Sequence, residues 1–189
     1  MGNYSITNSS LSPGSSQGTQ QALTATYKTI ITMFGSSVSL AAGLGAGSGI
    51  AKREKWFDLL LGTNAAPGDT YLEFDVARVS ALSSQLTPTT TVISSVSSAY
   101  VTDPGDPYGF LTYAQVNLTA ETGITALSEP WYFGMNQRAS YRWIANPGDE
   151  IVMPANLQTV TTFPGNGLDL RARGSYTGTV TTTVRGLEL

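Results

Sequence analysis

The sequence predicts an all-β protein: an antiparallel β-sandwich of jelly-roll type with an extended N-terminal arm. Three observations carry this reading. Five of the nine prolines are followed directly by glycine, at Pro13-Gly14, Pro67-Gly68, Pro104-Gly105, Pro147-Gly148 and Pro164-Gly165. Proline presets φ for the first central position of a turn, and glycine supplies the positive φ that a type II turn needs next. The pieces between these reversals are rich in Thr, Val, Tyr and Trp and alternate at period two, which suits pleated strands. No segment carries a helical apolar stripe. Roughly eight to ten short strands separated by turn signals favour a sandwich or jelly roll over a helical or α/β fold.

The chain is expected to divide into an arm over 1–21 and one sandwich domain over 22–189. Gly2–Gln21 is a run of Ser, Gly, Asn, Gln and Thr. Alone it cannot bury enough apolar area to offset its ordering entropy. It is either a loose tail or an arm that orders against a partner. Ala22–Phe34, with Thr24, Thr26, Thr29, Ile30, Ile31 and Thr32, has strand composition. Ser36–Ile50, which holds Gly43, Gly45, Gly47 and Gly49, reads as a long surface loop. Lys55–Leu61 and Thr70–Leu82 read as two strands. In the second, Leu72, Phe74 and Val76 share one face while Glu73, Asp75 and Ala77 share the other.

Gln85–Ala99 reads as strand or extended loop, and Asp103–Gly109 as a turn-rich insertion. Leu111–Leu118 and Trp131–Met135 are further strands. Arg138–Ala145 alternates, with Ala139, Tyr141, Trp143 and Ala145 opposite Arg138, Ser140, Arg142 and Ile144. Gly167–Arg173 is expected to turn Leu168, Leu170 and Ala172 inward and Asp169, Arg171 and Arg173 outward. Tyr176–Val184 sets Tyr176, Gly178, Val180 and Val184 against a row of threonines.

Composition narrows the function. At 189 residues the chain is large enough for a real core. Only 12% of it is charged, about half the usual share of roughly 25%. Such a surface belongs to a β-rich domain with a neutral exterior, or to a subunit that neighbours largely cover. The net charge of −3 argues against a nucleic-acid footprint spread over the domain. There is no cysteine and no histidine. The commonest general base, the commonest transition-metal ligand and the usual partner of a catalytic serine are therefore missing. The sequence is thus read as non-enzymatic and without cofactor. Met1–Ser12 lacks the pattern of a signal peptide, and no run of about 18 apolar residues predicts a membrane span.

The candidate sites each admit two readings. Gly43–Gly49 superficially resembles a phosphate loop, but Lys52-Arg53-Glu54-Lys55 follows where an amphipathic helix is required, so it reads as a loop. Lys52, Arg53 and Lys55 form either a charged strand edge that discourages edge-to-edge pairing or a docking point on an acidic neighbour. Arg138 and Arg142, four apart on one expected strand, and Arg171 and Arg173 on another, are candidates for an interface, where arginine is enriched. The alternative for both pairs is a solvated outer face. Trp131, Tyr132 and Phe133, with Tyr108, Phe110 and Tyr113, read as alternating core residues or as a sugar-binding platform. Asp103 with Asp106, and Asp149 with Glu150, carry oxygens of the type that binds calcium, but aspartate after Pro-Gly is ordinary turn chemistry.

The last third carries a resemblance. QRASYRWIANPGDEIVMPAN (Gln137–Asn156) followed by GLDLRARGSYTGTVTTTV (Gly167–Val184) resembles a family of small virion-associated proteins of tailed bacteriophages. Its members have a "QRA-Y-W" strand, a Pro-Gly turn, a "P-A" exit, a "G-L-L-RA" strand and a "YTGT" terminal strand. The matching positions here are Gln137, Arg138, Ala139, Tyr141, Trp143, Pro147, Gly148, Pro154, Ala155, Gly167, Leu168, Leu170, Arg171, Ala172 and Tyr176–Thr179. A looser echo covers Ala22–Thr32 and Lys55–Val79. The resemblance implies a β-sandwich capsid decoration or cement protein, located in a virion assembled in the host cytoplasm. Its implied partners are the major capsid protein and further copies of itself, with a homotrimer consistent with the low charge. The other readings are a tail or head-fibre subunit, a jelly-roll coat protein, or a carbohydrate-binding receptor-recognition module with an exposed aromatic row among Tyr108, Tyr113 and Trp131.

Overall fold

A computed structural model describes residues 3–8, 21–34, 54–63, 69–81, 92–93, 100–101, 113–116, 124–153, 166–174 and 179–188. The expected loops at Gly43–Gly49 and Asp103–Gly109, and Lys52 and Arg53, lie outside these residues. Within them the chain is all-β. The strands are β1 (Asn3–Thr7), β2 (Gln21–Ala22), β3 (Lys28–Phe34), β4 (Glu54–Thr63), β5 (Tyr71–Ala81), β6 (Val92–Ile93) and β7 (Tyr100–Val101). They continue as β8 (Tyr113–Val116), β9 (Ile124–Asn136), β10 (Tyr141–Ile144), β11 (Ile151–Val152), β12 (Asn166–Gly174) and β13 (Thr179–Glu188).

The strands form two antiparallel sheets packed face to face. Sheet I runs β10-β4-β13-β1-β7, with β11 also on β4 and β2 also on β13. Sheet II runs β6-β8-β3-β12-β5-β9. The pairing is nested. Working inward from the two ends of the chain, β1 pairs with β13, β3 with β12, β4 with β10 and β11, and β5 with β9. Successive pairs alternate between the two sheets, so the chain is one long hairpin rolled up, the winding of a jelly roll. The strands β6, β7 and β8 come from between β5 and β9. They extend both sheets at the edge opposite β9 and β10.

The core follows from period-two alternation. Leu72, Phe74 and Val76 of β5 and Leu168, Leu170 and Ala172 of β12 are fully buried. They face Trp56, Leu59 and Leu61 of β4 and Val180 and Val184 of β13 in one cluster. Each fully buried large side chain contributes roughly 1.5–3 kcal/mol relative to exposure. The edge where β9 and β10 meet is closed by aromatic rings. Phe133 stacks on Tyr141 with centroids 3.7 Å apart, and Trp131 packs against Trp143 at 6.0 Å. Core packing, the first reading of Trp131 and Phe133, is therefore what the structure shows. Tyr141 and Trp143 are half of this seam.

Gln137 ties the crossing between the sheets. Its amide donates to Thr70 O at 2.9 Å, ahead of β5, and its carbonyl accepts from Thr63 Oγ1 at 2.7 Å, at the end of β4. Arg138 donates its amide to Asn136 Oδ1 and Ala139 donates to Asn136 O, both at 2.9 Å, which closes a turn there. The strand expected over Arg138–Ala145 therefore begins only at Tyr141. Arg138 and Arg142 consequently do not share a strand face.

Two further expectations change. Asn3–Thr7 was expected within the arm, yet it is sheet: Tyr4 and Ile6 are buried, and β1 pairs with β13 from Asn3–Leu187 to Thr7–Thr183. Asn8 extends this pairing with its side chain, accepting from Thr182 N at 2.8 Å and donating to Val180 O at 2.9 Å. The rest of the expected arm up to Gln20 lies outside the described residues. On β12, Asp169 and Arg171 were expected to face solvent, but both are buried. Alternation assigns a residue to a face of the sheet, and here the outer face too is dry at Asp169 and Arg171.

The turn expected at Pro147-Gly148 is present. Asp149 donates its amide to Asn146 O at 2.9 Å, and Gly148 takes φ 98°. Glycine occupies this region freely, whereas a Cβ there is strained. Gly148→Ala is expected to destabilise the protein by about 1 kcal/mol or more, although nothing lies within 4 Å of the added carbon. Urea denaturation would measure it, and an unchanged midpoint would show that the turn relaxes without cost.

Candidate functional site

The two outer faces of the sandwich differ in kind. On sheet II the register puts charges directly opposite one another. Glu73 of β5 faces Arg173 of β12 and Asp75 faces Arg171, while Gly134 and Tyr132 of β9 continue these two rows. Arg171 grips Asp75 with both prongs, Nε to Oδ1 at 2.8 Å and Nη2 to Oδ2 at 2.5 Å, and also reaches Glu129 Oε1 at 2.8 Å. Arg173 bonds Glu73 through Nε. Tyr27, just before β3, lies under both guanidiniums, 4.8 Å and 4.6 Å from its ring centroid. Deeper on the same face, Thr29 donates to Asp169 Oδ2 at 3.0 Å.

Burial decides the chemistry of this grid. The Asp75 side chain is 0% exposed and that of Arg171 is 8%. Desolvation pushes the Asp75 carboxyl above its ordinary range, against the pull of Arg171. Glu73 is held below its ordinary value, chiefly by the hydrogen bond from Arg173. Burial also raises the Tyr27 hydroxyl. The grid opens toward the start of β5, where Ala25, Tyr71, Glu73, Arg173 and Gly174 line a cleft of about 280 Å³. Here Tyr71 and Tyr132 join hydroxyls at 3.2 Å, and Tyr132 also bonds Glu73. The Tyr132 hydroxyl is pushed strongly upward, first by its bond with Tyr71.

The outer face of sheet I is wet. The register lines up two rows across four strands: Ser5, Arg185, Asp58 and Ile144, and Thr7, Thr183, Leu60 and Arg142. Thr7 and Thr183 join hydroxyls at 2.9 Å. Arg142 clamps Asp58 with Nε at 2.9 Å and Nη2 at 2.6 Å, and Arg185 approaches the same carboxylate at 3.5 Å. This bond pushes the Arg142 pKa further up. Leu60 is 47% and Ile144 59% exposed. They are diagonal neighbours on adjacent strands, close enough for large side chains to form one apolar spot. Two arginines against one carboxylate leave the spot with a positive rim.

The expected interface residues are thus scattered. Arg142 lies on the wet face of sheet I. Arg171 and Arg173 share the outer face of sheet II, where each is engaged with carboxylates of this chain. Arg138 pairs with Asp69 at 3.1 Å in the exposed turn. Lys55 reaches Glu150 at 2.7 Å, and Gly148 donates its amide to the other oxygen of that carboxylate at 2.9 Å. Glu150 therefore clamps the Pro-Gly turn, and Asp149 accepts from Asn146 at 3.3 Å. Sequence reasoning missed Leu60, Ile144, Tyr71 and Arg185 as surface features. Odd-numbered placement opposite the core residues of β5 was the available signal for Tyr71. Comparison with known proteins adds nothing to this geometry: no family model, no curated protein and no solved structure matches the chain.

Two predictions follow from the ion pairs. Arg171→Met strands the Asp75 carboxylate in a dry site and is expected to cost about 3–5 kcal/mol, whereas the double change Arg171→Met/Asp75→Leu should cost far less. Chemical denaturation of both variants checks this, and equal losses would refute it. The second concerns Glu150, whose pKa the Lys55 hydrogen bond holds below the usual 4.5. Its contribution is therefore fully present above that value and is lost as pH falls through the lowered folded pKa. Glu150→Gln should melt below the parent at neutral pH, with the gap closing in acid. A gap independent of pH would contradict the assignment.

Proposed function

We propose that this chain is a non-enzymatic structural subunit of a bacteriophage virion, a decoration or cement protein that binds and stabilises neighbouring capsid subunits. The observation that carries the proposal is the outer face of sheet I. It is a four-strand surface, and it exposes the Leu60–Ile144 pair inside a rim of Arg142 and Arg185. An apolar centre with arginine around it has the anatomy of a protein interface. The positive rim fits an acidic neighbour, where it steers approach and sets register. Cementing then follows from mass action: a subunit that binds only the assembled lattice opposes its separation.

Three further points support this reading. Jelly rolls are a common architecture of viral structural domains, although fold alone assigns no function. Within the motif that resembles phage virion proteins, Tyr141 and Trp143 fall on the aromatic seam, Gln137 on the tie between the sheets and Pro147-Gly148 on the turn between β10 and β11. The chain also lacks histidine and cysteine and carries few charges, a composition suited to a covered surface rather than to acid–base or thiolate chemistry. The position in the particle, and a homotrimeric state, belong to the same proposal.

The test is binding to the particle. Leu60→Asp/Ile144→Asp is expected to weaken association of the purified chain with particles lacking it by at least about tenfold, since burial of even one such side chain is worth over 1.4 kcal/mol. The melting temperature should barely move, because both residues are exposed. Undiminished binding would remove sheet I from the interface, and imaging that places the chain only along a tail axis would overturn the cement role.

A further inference from the structure

The open end of the charge grid on sheet II carries an inference that does not depend on the virion reading. We propose that the cleft beside Tyr71 is a binding site for one ring of a neutral saccharide. Tyr71 supplies the platform. A Cβ built on Gly134 would lie 1.9 Å from the Tyr71 hydroxyl oxygen and 2.5 Å and 2.7 Å from two of its ring carbons. The hydroxyl end of the ring therefore lies directly against the bare glycine of the neighbouring strand, a close approach that only glycine permits. Its hydroxyl is tied to that of Tyr132 at 3.2 Å. The hydroxyl end of the ring is thus anchored on the sheet, yet the residue stays 54% exposed, and Tyr132 beside it 53%. A tyrosine held in place with one side in water presents an amphipathic surface with little entropy left to lose on binding. The C–H face of a pyranose is its natural complement.

The polar groups around the ring match a polyol. Arg173 lines the cleft, uses Nε on Glu73 and keeps its side chain 43% exposed, and its guanidinium carries further donors. Glu73 is an acceptor fixed by Arg173 and Tyr132, and the two tyrosine hydroxyls both donate and accept. Charge selects against acidic sugars. The grid holds three carboxylates, Glu73, Asp75 and Glu129, against the guanidiniums of Arg171 and Arg173. An anion would meet a net negative neighbourhood. The cleft of about 280 Å³ lies just under the usual range of roughly 300–1,000 Å³ for ligand pockets, the size of a single ring rather than a chain.

The experiment titrates the whole 189-residue chain with the methyl glycosides of glucose, galactose and N-acetylglucosamine, and with methyl glucuronide as the anionic probe, following backbone amides by NMR. At least one neutral glycoside is expected to shift the amides of Gly134 and Gly174. Tyr71→Ala should weaken that binding roughly tenfold or more, the worth of the stacked ring. Tyr71→Phe keeps the ring and guards against a folding artefact; it should lose only the roughly two- to tenfold worth of one hydrogen bond. The proposal is overturned if no neutral glycoside shifts these amides, if the shifts survive Tyr71→Ala, or if methyl glucuronide binds more tightly than every neutral probe.

Discussion

The in-register opposition of Arg171 and Asp75 at the centre of sheet II is the constraint on which the remaining structure turns. Both groups are desolvated, and a buried ion pair of this kind is weak evidence for stability, because desolvation offsets much of the attraction. What it does strongly is exclude alternatives. A strand slipped by one residue would carry every side chain to the opposite face, so Arg171 would enter the core beside Phe74 with no carboxylate within reach. The neighbouring Arg173–Glu73 pair and the Thr29–Asp169 bond repeat the constraint on either side. Three strands, β3, β12 and β5, are thereby locked to one alignment, and the core residues on their inner faces are delivered in the right order.

That lock explains the asymmetry of the sandwich. The outer face of sheet II is dry around Asp75, Asp169 and Arg171 and must satisfy those polar groups internally, which its Arg–carboxylate pairs and Thr29 accomplish. Sheet I is dry only on the inner face, where Trp56, Leu59 and Val184 pack. Its outer face uses the cheaper solution of threonines, serine and a half-exposed ion pair. The low charge content is consistent with this division, since five of the described arginines, 138, 142, 171, 173 and 185, are matched to carboxylates of the same chain. A sixth, Arg78, donates to Val152 O at 3.1 Å and bridges the two sheets.

The legible parts of the sequence were those whose cause is local. The Pro147-Gly148 turn needs only its own φ requirements, and the alternation of Leu72, Phe74 and Val76 needs only the pleat. β1 was not legible, because five residues with two apolar members have no strand signal without β13, whose pairing positions lie some 180 residues away. The arginines stood out by type, but their partners are set by topology: Asp75 is 96 residues from Arg171, and Asp58 is 84 from Arg142. Alternation could place Asp169 and Arg171 on one face, yet it says nothing about what dries that face. The spacing of Arg138 and Arg142 misled because it assumed a strand where Asn136 and Ala139 close a turn. The Tyr71 platform was invisible for a similar reason, since Gly134 is 63 positions downstream of the ring it seats.

The two surfaces have a geometric relation that follows from the fold alone. Sheets in a sandwich stack about 10 Å apart with their outer faces turned in opposite directions. The Leu60–Ile144 spot lies on the outer face of sheet I, and the Tyr71 ring on the outer face of sheet II. In the proposed docking through sheet I, sheet II would point away from the partner, with Tyr71 at the start of β5 on the far face. The ion-pair grid then has a second consequence beyond register. By fixing β5 against β12, it holds Tyr71, Glu73 and Arg173 together on the face that points away from sheet I.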